Sequence, residues 1–453
     1  MSAWHLIKRN LYYYWRTHIG VVLGAAVSTA VLTGALLVGD CVSYSLRAMA
    51  LTRLGETRVA LVGQNRFFRT DLATDLSEAL DAPVAPGLML KGLLVHPETN
   101  SRTSDVQVMG VDRRFWELGE AENPLGDGPD EIVLNEHLAN RLGVKNGDGV
   151  VLRVEKPFLL SPEAPLSLDS DSSVARPMTV KAIVSDEHFG RFSLQSNQTS
   201  PLNAFISLAS LGEEVNLPGS SNLLLVGDGR SGNITTEVAQ KALERCYRLQ
   251  DIALSVHAIP EYNQLELESR RVFLDSEVEK TAARIWPKSV GALSYFVNAL
   301  ERDGNLTPYS IVTALGPLGT EAGTPPILPS SMENDEIAIS QWLADDLSAK
   351  KGDTIKLRYY VMGRARNLEE RETEFRVHSV VPMEGLAVHS GWMPDYPGLS
   401  GKDSCRDWDP GMEIDLSRIR DKDEAYWERY RGAPKAFITL EAGQSIWSNR
   451  FGN

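Results

Sequence analysis

Two pairs of carboxylates recur along this 453-residue chain, Glu131 with Glu336 and Asp148 with Asp353, each pair 205 positions apart. Paired carboxylates serve general acid–base catalysis and hard-cation binding. Their surroundings point instead to structure: Asp148 and Asp353 each follow a glycine, a turn-building pair, and Glu131 and Glu336 each open a short apolar strand. His188, next to Asp186 and Glu187, is the nearest approach to a metal cluster, but consecutive loop residues point different ways. His137 and His378 stand alone in helix or strand patterns, where histidine is usually structural. Cys41, Cys246 and Cys405 are far apart and form no zinc or redox motif; a Cys246–Cys405 disulfide is permitted in an oxidising compartment, and nothing in the spacing demands it. Neither HExxH, GxSxG nor CxxC occurs, and Gly401-Lys402 lacks both the upstream glycine (Tyr396 stands there) and the following Ser or Thr of a phosphate-binding loop. Asn197, Asn233 and Asn305 lie in glycosylation sequons, which carry meaning only in a eukaryotic secretory pathway. The expectation is a chain without catalytic, cofactor-binding or metal-binding residues of its own, and not an enzyme.

The recurring carboxylates belong to a longer repeat. Residues 130–153, DEIVLNEHLANRLGVKNGDGVVLR, align without a gap on residues 335–358, DEIAISQWLADDLSAKKGDTIKLR, with eleven of 24 positions identical. Each copy reads as a short apolar strand, an N-cap (Asn135 or Ser340), a helix with an apolar face (Leu138 and Leu142 in the first copy), a Gly-Asp turn and an alternating strand. The similarity extends outward. Before each copy come a helix and two strands: 70–80, 87–95 and 106–111, against 275–286, 291–300 and 310–315. After each copy comes a return strand (178–184 and 374–381), then the related segments Leu202-Asn203-Ala204-Phe205 and Pro434-Lys435-Ala436-Phe437. A strand, helix and strand at 222–226, 235–249 and 252–259 join the halves. The second half carries an insertion, 386–431, whose Trp392, Tyr396, Trp408, Tyr426 and Trp427 predict packing onto the domain itself, with a partner surface as the second reading.

What positions these halves is near the start. Ile19 to Val38 is an uncharged run whose twenty residues, at about 1.5 Å each, match a bilayer core of roughly 30 Å. It exceeds the apolar core of a cleaved signal peptide, and no clear A-x-A site follows. Lys8, Arg9 and Arg16 precede it without an acidic residue and Asp40 follows, which places the N-terminus in the cytoplasm and the bulk outside. Residues 3–16, with Trp4 and the run Tyr12 to Trp15, suit an amphipathic helix on the membrane surface. Within the span, Gly20, Gly24 and Ser28 form a row of small residues that allows close helix packing in lipid. The net charge is −14, or −17 without the three N-terminal cations, so nucleic acid is not an expected partner.

The fold class is therefore α+β: one N-terminal transmembrane helix, then a mixed α/β extracytoplasmic region built from two internal repeats. The organisation is 1–18, cytoplasmic amphipathic segment; 19–38, transmembrane helix; 39–211, first repeat; 212–273, connecting region; and 274–453, second repeat with insertion 386–431. Together the surface helix, the single span and the motif Leu-Ala-x-x-Leu…Lys-x-Gly-Asp resemble the MacB-like and FtsX-like permease subunits of ABC transporters. The resemblance implies a location in the cell (inner) membrane with the bulk periplasmic. It also implies a cytoplasmic ABC ATPase subunit as partner, a permease dimer or other transmembrane segments packed in the lipid bilayer, and no cofactor. Members of that family carry at least three further membrane helices after the periplasmic domain. None follows Val38 here, and Trp447 to Gly452 looks like sequence leading out toward a next span, so the expectation is a truncated, split or fragmentary permease. A single-pass extracytoplasmic binding or scaffold protein is the alternative, and an anchored enzyme stands third.

Overall fold

The repeat folds into two rings of six strands with the same pairing order. The computed structural model describes residues 3–447 except 127, 158–172, 196–199, 230–231, 272, 324, 326, 363–367, 397 and 411–413; the sequon at Asn197 and the exit segment 448–453 lie outside the described residues. Two helices open the chain, α1 (Ala3–Tyr13) and α2 (Trp15–Leu54). The first lobe follows: β1 (Val59–Val62), β2 (Phe68–Arg69), α3 (Leu72–Leu80), β3 (Val84–His96), β4 (Ser101–Val111), α4 (Arg113–Leu118), β5 (Glu131–Asn135), α5 (Glu136–Leu142), β6 (Gly149–Glu155), β7 (Ser173–Val184), β8 (Asn203–Ser207) and α6 (Leu208–Glu214). Next come β9 (Ser220–Ser221), β10 (Leu223–Val226), α7 (Thr236–Cys246), β11 (Leu254–Ile259) and β12 (Gln264–Ser269). The second lobe comprises α8 (Ser276–Ile285), β13 (Val290–Arg302), β14 (Asn305–Pro317), β15 (Glu336–Ser340), α9 (Gln341–Leu347), β16 (Thr354–Met362), β17 (Leu368–Val381), α10 (Asp421–Tyr430), β18 (Ala436–Thr439) and α11 (Leu440–Trp447).

The first ring runs β3-β4-β8-β5-β7-β6 and returns to β3; the second runs β13-β14-β18-β15-β17-β16 and returns to β13. Pairing sense agrees strand for strand. β4–β8 and β5–β7 are parallel, as are β14–β18 and β15–β17, and the remaining neighbours are antiparallel. Even the irregularity is copied: the β5–β7 register slips between Ile132 and Val133, and β15–β17 slips between Ile337 and Ala338, the same aligned positions. A shared slip sets the same stagger in each ring, and stagger is what lets a six-stranded sheet close.

Local chemistry explains the units that fill these rings. The Asn135 side chain accepts from the Leu138 N–H at 3.1 Å and the Ser340 hydroxyl from the Leu343 N–H at 3.2 Å, each satisfying a free amide at a helix start. Leu138, Ala139 and Leu142, and likewise Leu343, Ala344 and Leu347, then face inward and are buried. Both helices end in a left-handed residue, Gly143 and Ser348, and both following turns need a glycine at φ +92°, Gly147 and Gly352. The first ring core is aliphatic, with Leu88, Val108, Ile132 and Leu134; the second mixes aliphatics such as Val297, Ile337, Ile339 and Leu357 with the aromatics Tyr295, Tyr359 and Phe375.

Several elements differ from the sequence reading. β10 is an integral strand of the first lobe, pairing with β1 on one side and β3 on the other, so the first sheet has eight strands. The linking strand at 254–259 has a partner, β12, that alternation within a charged stretch (Gln264-Leu-Glu-Leu-Glu) had concealed. The apolar run is the centre of a 40-residue helix, and α1 is separated from it by a break at Tyr14 (φ −102°, ψ 25°).

The two N-caps differ in how much they hold. The Ser340 side chain caps its helix and leaves the tie to the β18 entrance to its backbone N–H, which donates to the Lys435 carbonyl, whereas the Asn135 side chain also accepts from the Asn203 N–H and donates to the Pro201 carbonyl, tying α5 to the start of β8. Ser340→Ala is expected to cost about 1 kcal/mol and Asn135→Ala about 2–3 kcal/mol. Urea unfolding followed by hydrogen exchange in each lobe checks this, and equal losses would refute the bridging role.

Candidate functional site

The first site is the junction of the apolar helix α2 and the first lobe. α2 continues for sixteen residues past Val38, a stalk of roughly 24 Å at 1.5 Å per residue. Its end is docked. Leu54 packs against the aromatic cluster of Phe115, Trp116, Phe189, Phe192 and Phe205, in which the Phe115 ring lies 4.8 Å from Phe189 and 5.2 Å from Phe192. Gly55 then turns the chain at φ +55°, where a Cβ would lie 2.4 Å from the Leu118 carbonyl oxygen. That carbonyl accepts from the Glu56 N–H at 2.9 Å, and the Arg58 N–H donates to Val226 at 2.8 Å, so the connection to β1 is hydrogen-bonded to α4 and β10. The link between α2 and the first lobe is therefore short and hydrogen-bonded.

The second site is a buried charge cluster in the second lobe. Lys435, 4 % exposed, enters β18 with its ammonium 4.4 Å from the Trp342 ring centre, 5.0 Å from that of Tyr426 and 3.4 Å from Asp423. Burial pushes the ammonium down to about 8, with Asp423 pulling partly against it. Burial also opposes ionisation of Asp423, but hydrogen bonds from Arg420 and the charge of Lys435 prevail and hold its carboxyl below the ordinary range. Arg420 bonds Asp423 and, at 2.7 Å, the buried Asp346 at the end of α9; Lys422 reaches the same carboxylate, and Thr307 of β14 donates to it at 2.5 Å. The cluster therefore clamps α10 to the ring. Around it, Tyr396, Trp408 and Trp427 of the insertion are buried in the lobe core, as the packing reading anticipated. The cavity beside the cluster is about 30 Å³, room for a water or two.

The equivalent position in the first lobe explains why a charge sits there. Asn203 is likewise wholly buried at the head of its strand, and its amide donates to the Gly190 and Phe192 carbonyls at 3.0 and 2.8 Å. Each lobe thus uses one buried polar side chain to pin the connection entering its last ring strand. The sequence signal was visible: a lysine opening an apolar strand, aligned with an asparagine.

The sequence-derived carboxylates are structural. Asp148 and Asp353 accept from the Lys145 and Lys350 amides, each at 2.7 Å, inside their turns. Glu131 pairs with Lys181 and Glu336 with Arg376, each at 2.8 Å. Asp186 pairs with Arg191 and His188 meets Ser185, so the two do not converge; among the described residues no group of three His, Cys, Asp or Glu is arranged to hold a metal ion. Sequence inspection missed one grouping, Ser331 with His378 and Glu336. The Ser331 hydroxyl and the Glu336 carboxylate both face Nε2 of His378, at 3.2 and 3.9 Å, while Nδ1 is buried without a partner. A nucleophilic relay needs the acid on the opposite nitrogen, so this geometry does not activate the serine. All three thiols are free: Cys246 lies against α3 of the first lobe and Cys405 is buried in the core of the second, its thiol pushed up to about 12 by burial. The permitted Cys246–Cys405 disulfide is not formed.

No family model and no curated protein matches the chain. Among solved structures, the periplasmic region of MacB from Actinobacillus actinomycetemcomitans is similar at 14% identity and TM-score 0.29, covering 51% of this chain and 94% of that one. The extracellular domain of the noncanonic ABC-type transporter YknZ from Gram-positive bacteria is similar at 7% identity and TM-score 0.26, covering 41% and 88%. Overlaps of that quality support no statement about the role of this chain.

Two outcomes follow from the geometry. Because the ammonium of Lys435 is harder to protonate in the folded state, the unfolded chain binds the extra proton between pH 8 and 10.5, and stability gains as pH rises through that window. Relative to Lys435→Met, the wild type should gain up to about 3 kcal/mol from pH 7 to 10.5 in denaturant unfolding, and a pH-independent difference would contradict the assignment. At the junction, Gly55→Ala places a side chain at positive φ against a backbone oxygen, a strain of about 1–3 kcal/mol. Spin-label distances from position 44 to position 98 should broaden in Gly55→Ala and stay narrow in Gly39→Ala, where the added methyl meets open space.

Proposed function

We propose that the chain is the membrane (permease) subunit, or the N-terminal part, of an ABC transporter, in which the extracytoplasmic lobes receive movement from the membrane. ATP hydrolysis belongs to a separate cytoplasmic subunit, and export or mechanical work on an extracytoplasmic partner is the output. One observation carries the reading: the apolar span and the stalk are one continuous helix, and the residues just after it are held to the first lobe, Glu56 donating to the Leu118 carbonyl and Arg58 to that of Val226. A tether for a binding protein has no need of a fixed exit angle. Further support comes from the duplicated strand-helix-turn motif that resembles the MacB-like and FtsX-like permeases, and from the row Gly20, Gly24, Ser28 on a helix exposed along its length, suited to helices of a dimer or of further segments. The basic N-terminal flank with α1 fits a cytoplasmic N-terminus at the inner membrane.

Purification in mild detergent from the native membrane tests the proposal. A P-loop ATPase should co-purify in stoichiometric amount, with its turnover raised by this chain. Gly55→Ala should leave association intact and lower that stimulation several-fold. A chain recovered alone, with full extracytoplasmic ligand binding, would favour the scaffold alternative.

A further inference from the structure

The hairpin β11–β12 is a two-stranded sheet, each strand having the other as its sole neighbour among the described residues. Such a ribbon is marginally stable by itself, and each strand keeps one open edge of backbone donors and acceptors. Its faces are distributed unusually. Val256, Ala258, Leu265 and Leu267 share one face, across which Val256 meets Leu267 and Ala258 meets Leu265, and there Leu265 is 67% and Val256 43% exposed. The opposite face carries Glu266 and Glu268, both half-buried. On the aliphatic face Leu254 at the base is buried and Leu267 is half-buried, while Val256, Ala258 and Leu265 toward the tip are left to solvent.

The charge is one-sided as well. Residues 254–269 contain Glu261, Glu266 and Glu268 and no lysine or arginine. Glu268 lies 3.5 Å from His257, whereas Glu266 has no ion pair among the described residues. At the tip, Tyr262 meets His389 of the second lobe edge-on, with ring centres 6.1 Å apart, which holds the ribbon in place instead of leaving it to sway.

We infer that this hairpin is a docking template for an extended segment of another extracytoplasmic protein, one that adds as a third strand, is apolar at alternate positions and is basic between them. Open edges supply main-chain hydrogen bonds, the aliphatic face accepts alternate side chains, and Glu266, without an ion pair among the described residues, selects lysine or arginine. The same acids disfavour the two other coverings. An anionic lipid surface repels them, and so does the identical hairpin of a second copy.

Hydrogen exchange on the full-length chain in detergent tests the inference, using as probe a soluble, end-capped ten-residue peptide that alternates valine with lysine. Saturating peptide should slow exchange across 254–269 by about tenfold or more, as a newly paired strand does. Leu265→Asp and Glu266→Lys should each remove that protection, while Val290→Asp, an exposed aliphatic position elsewhere, should retain it. The inference is overturned if the peptide gives no protection, or if the same alternation with glutamate protects equally. It is overturned too if vesicles of anionic phospholipid protect the hairpin where the peptide does not, or if protection without peptide grows with protein concentration. Exchange in the ring strands should be unchanged in every variant, which separates lost docking from lost folding.

Discussion

The Gly-Asp turn stitched to the return strand is the constraint on which the rest depends. In the first ring the Gly147 N–H donates to the Val180 carbonyl at 2.7 Å, and the Val180 N–H donates to the Asp148 carbonyl at 2.9 Å; in the second, Gly352 and Asp353 make the same pair with Val377 at 2.8 and 2.7 Å. These bonds seat the beginning of β6 against the middle of β7 while β5 lies parallel on the other side. The stagger so created carries β6 past β7 far enough to meet β3, and the ring closes. Without it the sheet would stay open, with two unprotected edges.

Duplication preserved that device and varied what hangs on it. Between β7 and β8 the first lobe uses a short connection pinned by Asn203; between β17 and β18 the second carries the aromatic insertion, held by Lys435, Asp423, Arg420 and Asp346. The Asn203 amide nitrogen donates to the Gly190 and Phe192 carbonyls, while its Oδ1 is buried without a partner. A buried ammonium requires the carboxylates and two aromatic faces around it, which is why the second lobe gathers charges about Lys435. The difference follows the size of the segment being fixed.

The membrane helix meets this architecture at a place built for close contact. Gly55 passes the Leu118 carbonyl where no side chain fits, and the aromatic cluster beneath Leu54 is shared by α4, the Phe189–Phe192 turn and β8. The end of α2 therefore meets the first lobe through packed aromatic rings. At the other end of the first half the acidic hairpin β11–β12 turns its aliphatic face outward, away from its contact with His389.

The sequence by itself determined what depends on neighbours along the chain: the length and polarity of the span, the caps at Asn135 and Ser340, the glycines of the two turns, and the equivalence of residues 130–153 with 335–358. It also ruled the repeated carboxylates structural, since a turn aspartate needs only its own amides. Tertiary structure decided everything that required distant strands to meet. Ring closure by β3 and β6, the membership of β10 in the first sheet, the pairing of β12, and the separation of Cys246 from Cys405 all arise from contacts between residues tens to hundreds of positions apart. Nothing local in Pro-Lys-Ala-Phe announces that Lys435 will lie between Trp342 and Tyr426, because α9 and α10 reach it only after the ring has formed. Local periodicity fixes which face of an element is apolar; only packing fixes what that face meets.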